Sequence, residues 1–356
     1  MVSPRTEITL ELTPQARVDV INVSERITEQ FGDILSRFQK VFYYSYHTTA
    51  GYFDQSFCRR LNHSRDSLQA FVQSFQNLFP PDANYQHDQL HLRSELSEEQ
   101  RRQEPRNADS HLTFIGSGLR NGVTYRHCSK TPVYFVDLDG ISGATKRRRQ
   151  TTVIGYSEEE LVDQTVVEIP LSSHPVDSVN LKDSRLGLFD QLHELLEHYE
   201  IVNGRIDISL APTERHAGLT VNEYETLLMK HDLAEVLRNP LRFMAEKGKH
   251  MLRDPRAIPV KAKDYAKYDM VQVVNEFLDA LGLSESLLER IINKFQSVPA
   301  ARFLGVKRSL SLLVSQQGHE GRGSIVQGDY QSPILVQWKK AAAQTRRLKV
   351  AFVRFR

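Results

Sequence analysis

His47-Thr48-Thr49-Ala50-Gly51 follows an aromatic, apolar run, Val41-Phe42-Tyr43-Tyr44-Ser45-Tyr46, and a degraded copy of that arrangement returns late in the chain. From Thr213 to Leu233 the sequence reads TERHAGLTVNEYETLLMKHDL, preceded by Ile206-Asp207-Ile208-Ser209-Leu210. Setting Ala50-Gly51 on Ala217-Gly218 brings the flanks into line. Residues 8–12 and 17–35 fall against 166–171 and 179–196, each an extended run followed by an amphipathic helix. Further on, 131–136 pairs with 332–337, and 145–148 with 345–348. A repeat of this length reads as a whole domain duplicated and diverged. The spans are 1–156 for the first domain, 157–165 for a linker and 166–356 for a second domain with a helical insertion at about 241–297.

Local patterns fill in the expected class. Glu7-Ile8-Thr9-Leu10-Glu11-Leu12 alternates as a half-buried strand does, and Arg17–Val23 reads as its neighbour. Ser24 is the expected cap of a helix that places Ile27, Phe31, Ile34 and Leu35 on one face. The strand 41–46 would deliver His47 to a strand end, where sheets often display chemistry. A helix over 66–78 ends at Pro80-Pro81, and 82–109 reads as polar loop, with 94–106 a charged, exposed and partly helical excursion. Glycine turns at 116–118 and 121–122 precede strands at 133–137 and 151–155. The fold class expected is α+β, two domains of mixed or antiparallel sheet packed with helices.

Composition narrows the function classes. The 356 residues suffice for two domains with their own cores, and a net charge of +2 argues for neither nucleic acid nor membrane as partner. Two cysteines, Cys58 and Cys128, exclude a zinc ribbon or a disulfide scaffold and suit a reducing compartment. No apolar stretch approaches the ~18 residues of a membrane span, and the first residues lead into a strand-like run. A cytoplasmic location is expected.

Three histidines stand apart: His47 at its strand end, His87 in Tyr85-Gln86-His87-Asp88, and His111 in Asn107-Ala108-Asp109-Ser110-His111-Leu112. Imidazole ligates metals and shuttles protons near neutral pH, although a lone histidine is more often a loop or core residue. Arg147, Arg148 and Arg149 form a basic run, echoed by Arg346 and Arg347. Guanidinium forks suit phosphate, and a solvated strand start is the plainer reading.

HTTAG after an apolar strand, YQHD after a proline-ended helix, NADSHL before a glycine turn and the closing VYFVDLDG…TKRRRQTTV together resemble the YjbQ family. The resemblance covers 8–156 with all three histidine motifs and is looser over 166–356. It implies small α+β domains that assemble as trimers, with a metal- or anion-binding histidine site near subunit contacts. It further implies secondary thiamine-phosphate synthase activity, joining a pyrimidine diphosphate to a thiazole phosphate with release of pyrophosphate. Carried onto this chain, His47, His87, His111 and Asp109 are the candidate catalytic residues, and the same three histidines the candidate ligands of a divalent zinc or magnesium ion. Thr48, Arg147 and Arg148 are the candidates for holding a phosphorylated small-molecule substrate.

The chain also departs from the family. Tyr52-Phe53-Asp54-Gln55-Ser56 replaces the VTINEN-like segment after HTTAG, whereas the second copy keeps Leu219-Thr220-Val221-Asn222-Glu223 and Asp232. There Glu214 stands at the place of His47 and Arg302 at that of His111. The histidines of the first copy either work alone or meet Asn222 and Glu223 in a composite site. Two other activities stay open, a metal-dependent phosphohydrolase and a non-catalytic assembly protein with a vestigial site.

Overall fold

The computed structural model describes residues 5–142, 145–240, 243, 304–316 and 322–356. The insertion expected at 241–297 (Phe243 apart) and Arg302 therefore lie outside the described residues. The first half of the chain forms β1 (Arg5–Leu12), β2 (Asp19–Asn22), α1 (Val23–Phe31), β3 (Lys40–Ser45), β4 (Ala50–Gly51), α2 (Gln55–Arg60), α3 (Arg65–Leu78), α4 (Glu98–Gln103), α5 (Ala108–Ser117), β5 (Gly122–Arg126), β6 (Tyr134–Asp137), β7 (Ile141–Ser142), β8 (Thr145–Lys146) and β9 (Arg149–Tyr156). The rest forms β10 (Glu159–Pro170), β11 (Asp177–Asn180), α6 (Leu188–His198), β12 (Gly204–Leu210), β13 (Ala217–Asn222), α7 (Leu233–Arg238), β14 (Ser309–Ser315), β15 (Ser324–Val326), β16 (Ser332–Gln337) and β17 (Thr345–Phe355). Every strand pair among the described residues is antiparallel, so the class is α+β.

Two compact units result, one of Met1–Gln69, Gly118–Tyr224 and Val306–Arg356, the other of Ala70–Ser117 and Glu225–Gly305. The first unit contains the sheets. Their orders run β1-β9-β3-β5 and β10-β17-β12-β14-β15, with smaller sheets β2-β6-β4 and β11-β16-β13. The two sets follow the same plan, and their registers agree. Ala50 pairs with Asp137 as Ala217 pairs with Gln337, and Ser45 pairs with Thr151 as Leu210 pairs with Leu348.

Helical spacing explains one core of this unit: Leu188, Leu192 and Leu196 line one face of α6 and are buried with Ile206, Ile208 and Phe352 of the second large sheet. A second cluster joins the sheets to one another. Phe42, Tyr44, Ile154 and Tyr156 meet Leu313, Val353 and Phe355, and the rings of Tyr156 and Phe355 stack at 4.1 Å. Burying each such side chain contributes about 1.5–3 kcal/mol. Arg205 supports it at the rim by donating to Glu159 Oε1 at 2.8 Å, and Tyr156 Oη donates to the same oxygen at 2.5 Å.

In the second unit, α5 is buried along its whole length. Gly116 lets it sit close: a Cβ there would lie 2.9 Å from Phe79 and 3.3 Å from Leu304. Phe79 and Tyr85 each lie against Phe243, with ring centroids 6.1 and 6.2 Å away. A π-helical turn, Leu227–Asp232, runs directly into α7.

Several local expectations need correction. Asn22, not Ser24, caps α1: its side chain accepts from Glu25 N at 3.2 Å, while Ser24 Oγ donates to Asn22 Oδ1. Residues 108–117 are helix in place of the expected loop end and glycine turn, because burial on all sides lets Gly116 continue a helix despite its low propensity. From Glu159 the expected linker 157–165 is strand, paired with β17. Two repeat alignments also slip. Val136 and Asp137 correspond to Val336 and Gln337, one residue from the expected match, and Arg149, not Lys146, corresponds to Arg346. A one-residue slip would exchange the faces of a strand, and packing allows only one choice.

Candidate functional site

His47, Thr48, Arg147 and Arg148 belong to the first unit, and His87, Asp109 and His111 to the second.

β3 carries the chain to His47, and hydrogen bonds shape the bend that follows. Ser45 Oγ donates to Ala50 O at 2.6 Å, and His47 N donates to Ser45 Oγ. The carbonyl of His47 accepts from Asn121 Nδ2 at 2.5 Å and from Gln331 Nε2 at 3.1 Å. Asn222 Nδ2 donates to Thr48 O at 2.8 Å, so a residue of the retained VNE segment does meet HTTAG, through the backbone. On the ring, Nε2 accepts the backbone N–H of Gln150 at 2.7 Å. That bond needs a lone pair on Nε2. Burial, then the charges of Arg149 and Arg147, push the His47 pKa down to about 3, so the imidazole is neutral.

The neighbouring basic run is divided. Arg149 is buried and donates from Nε and Nη2 to the two oxygens of Asp137, both at 2.7 Å, and from Nη2 to Thr49 Oγ1 and Asp139 O. Burial raises the Asp137 carboxyl above its ordinary value, against the pull of that fork. Arg147 pairs with Asp139 at 2.7 Å, and Arg148 is exposed. At the corresponding place Arg346 is buried too, donating to Gln337 Oε1 at 3.3 Å and to Lys339 O at 2.7 Å. Glu214 accepts from Arg346 Nη1 at 2.9 Å, and its other oxygen accepts the backbone N–H of Arg347 at 3.0 Å.

The second unit gathers the other candidates. The loop after α3 brings His87 into the interior, where its side chain has no exposure. Asp232 Oδ1 and Oδ2 accept the backbone N–H groups of Gln86 and His87, each at 3.0 Å. The His87 ring has Nδ1 3.0 Å from Glu225 Oε2 and Nε2 3.4 Å from Asn107 Oδ1. Burial works to raise the Glu225 pKa, but bonds from His87, Leu227 N and Leu228 N outweigh it and hold the carboxyl below its ordinary value. The ring of His111, presented by α5, stands edge-on to His87 with centroids 5.3 Å apart. Asp109 and Ser110 are buried on the same helix, and Asp88 Oδ1 accepts Ala108 N at 3.0 Å at its start.

This interior can do chemistry that a plain core cannot. It holds two adjacent imidazoles, with carboxylates bonded to the ring and backbone of one of them. Next to it, Asp82, Asn84, Tyr85, Asp88, Gln89, Leu90, His91 and Arg106 line a cleft of about 470 Å³. Asp82 and Asn84 there have φ of 58° and 55°, in the left-handed region that non-glycine residues seldom adopt. The first unit has a cavity of about 160 Å³ bordered by Tyr43, Tyr125, His127 and Cys128, and no predicted site residue lines it.

Glu225 is the residue that sequence reasoning missed. It follows the retained LTVNE run by two positions but resembles an ordinary surface acid, and its partner His87 lies 138 residues away. Asp232 belongs to no site motif in the sequence.

No family model matches this chain, and no curated protein matches it. Solved structures do resemble it over about half its length. One is a YbjQ-like protein of unknown function from Sulfolobus solfataricus P2, 17% identical at a TM-score of 0.28, covering 55% of this chain and 99% of its own. Another is a hypothetical protein from Aeropyrum pernix K1, 14% identical at 0.27, covering 53% and 97%. A third is an uncharacterized conserved protein of the YjbQ/UPF0047 family from Clostridium acetobutylicum, 10% identical at 0.26, covering 54% and 99%.

Proposed function

We propose that this chain is a metal-assisted transferase of YjbQ type acting on a phosphorylated small molecule, with His87, His111 and Asp109 at its centre. The observation that carries this reading is the edge-on pairing of two buried imidazoles beside a buried carboxylate-bearing helix. Burying that many polar groups costs stability unless each is satisfied, and a functional site is the common reason for keeping them. The substrates, a pyrimidine diphosphate and a thiazole phosphate, come from the resemblance of the three histidine motifs.

The donors suit one of the two expected ions better. Imidazole nitrogens are good ligands for zinc, whereas magnesium prefers oxygens and keeps its water. His87, through Nε2, and His111 would hold the ion, which when bound would neutralise phosphate charge. His47 is assigned a different part here. Its Nε2 is already the acceptor for Gln150 N, and its neutral ring organises the HTTAG bend.

A duplicated origin, with domains 1–156 and 166–356, is supported by the matching strand orders and by the shared registers around Ala50 and Ala217. In that reading the second copy supplies Glu225 and Asp232 to the second unit and has Glu214 in place of His47.

The test is turnover by the purified chain given both phosphorylated substrates and zinc or magnesium, followed by pyrophosphate release. Pyrophosphate formed only when both substrates are present, and lost in His111→Ala, is the expected result. Orthophosphate released from either substrate alone would replace transfer with hydrolysis. No turnover and no bound metal would leave an assembly protein.

A further inference from the structure

We infer that Glu225 is the positioning residue of His87, fixing the proton on Nδ1 and leaving the Nε2 lone pair on the edge of the ring away from the carboxylate. This rests on the reading of His87 as a metal ligand. Both Glu225 oxygens already accept backbone N–H groups, Oε1 from Leu227 and Oε2 from Leu228, each at 2.7 Å. A carboxylate so engaged is an acceptor, so the 3.0 Å contact with His87 Nδ1 is made by a hydrogen on that nitrogen.

The arrangement is built at both ends. Glu225 precedes the π-helical turn Leu227–Asp232, and Asp232 closes it. One carboxylate grips the His87 ring and the other its backbone N–H, so a single turn sets both position and tautomer. The wider coil of a π-helical turn is uncommon and recurs at functional sites. A carboxylate behind a ligating histidine raises its basicity and orients it, and losing such a partner typically weakens metal binding about 10–100-fold.

The test uses the full chain. Nitrogen-15 spectra of zinc-free protein at pH 8, assigned with His87→Gln, report which ring nitrogen carries hydrogen, and zinc titrations follow on the wild type, Glu225→Gln and Glu225→Ala. The inference expects hydrogen on Nδ1 in the wild type, a mixed tautomer in Glu225→Ala, and zinc affinity lowered about 10–100-fold in that variant. Glu225→Gln, whose amide oxygen can still accept from Nδ1, should fall between. Hydrogen on Nε2 or on both nitrogens of the wild type would overturn it, whether or not the variants fold. So would a folded Glu225→Ala that keeps the Nδ1 tautomer and binds zinc within twofold of wild type. A wild type that binds no zinc while holding hydrogen on Nδ1 would instead sink the metal reading and leave Glu225 as the group that sets the tautomer.

Discussion

His47 and Glu214 accept equivalent backbone hydrogens in corresponding sheets: His47 Nε2 takes the N–H of Gln150 at 2.7 Å, and Glu214 Oε1 that of Arg347 at 3.0 Å. Each of those N–H groups follows a buried arginine, Arg149 or Arg346. Shared geometry with different chemistry points to a role in holding the bend. We predict that His47→Gln, whose amide oxygen can still accept, keeps stability near that of the wild type, while His47→Ala loses about 1–3 kcal/mol in urea unfolding. Equal loss in both variants would contradict the hydrogen-bond account.

The same residue should leave a mark on the pH dependence. Its folded pKa is pushed down to about 3, whereas an unfolded histidine titrates near 6.5. Between those values the unfolded chain binds a proton that the folded chain does not. Its contribution is therefore fully present above about pH 6.5 and declines as pH falls towards 3. Denaturant midpoints from pH 7 to pH 4 should fall less steeply in His47→Gln than in the wild type.

The two buried arginines should respond differently to loss of their strand-end partners. Asp137→Ala removes the carboxylate that neutralises Arg149, and should cost about 3–5 kcal/mol. Gln337→Ala removes a neutral acceptor from Arg346, which keeps Glu214 and two carbonyls. The expected cost there is about 1 kcal/mol. Chemical denaturation of the two variants compares them directly.

Glu159 tests whether the segment between the two large sheets is structural. Its carboxylate accepts from Arg205 and Tyr156 and pairs with Lys40 at 3.3 Å. Burial opposes its charge, but these partners prevail and hold its pKa at about 2. Glu159→Ala should destabilise the protein by about 1–3 kcal/mol. The exposed neighbour Glu158→Ala should stay within about 0.5 kcal/mol of wild type.

Metal analysis separates the three histidines. Zinc at one equivalent per chain is expected in the wild type and in His47→Gln, and its loss in His87→Ala and His111→Ala. Retention in both of the latter variants would remove them from the metal site.

Periodicity and turn chemistry carried most of the local reading. The alternation of Ile8, Leu10 and Leu12, the aromatic run before His47 and the stop at Pro80-Pro81 all depend on near neighbours, and the corresponding elements form. The helix through His111 was missed because its sequence has small and polar residues on every face, which burial tolerates and exposed helices do not. The slips of one residue at β6 and of three at Arg149 arose because similar runs match in several registers until the opposite face must pack. For the candidate site, the motifs named His87, His111 and Asp109, and nothing in them named Glu225.

What this chain's sequence determined alone was the local hydrogen-bonding and burial preference of each segment, and the order in which strands and helices follow one another. Tertiary structure decided the protonation of His47 and the partners of His47 and His87. Whether an imidazole caps a backbone N–H, as at His47, or faces a carboxylate 138 residues away, as at His87, depends on contacts and desolvation that no spacing along the chain encodes.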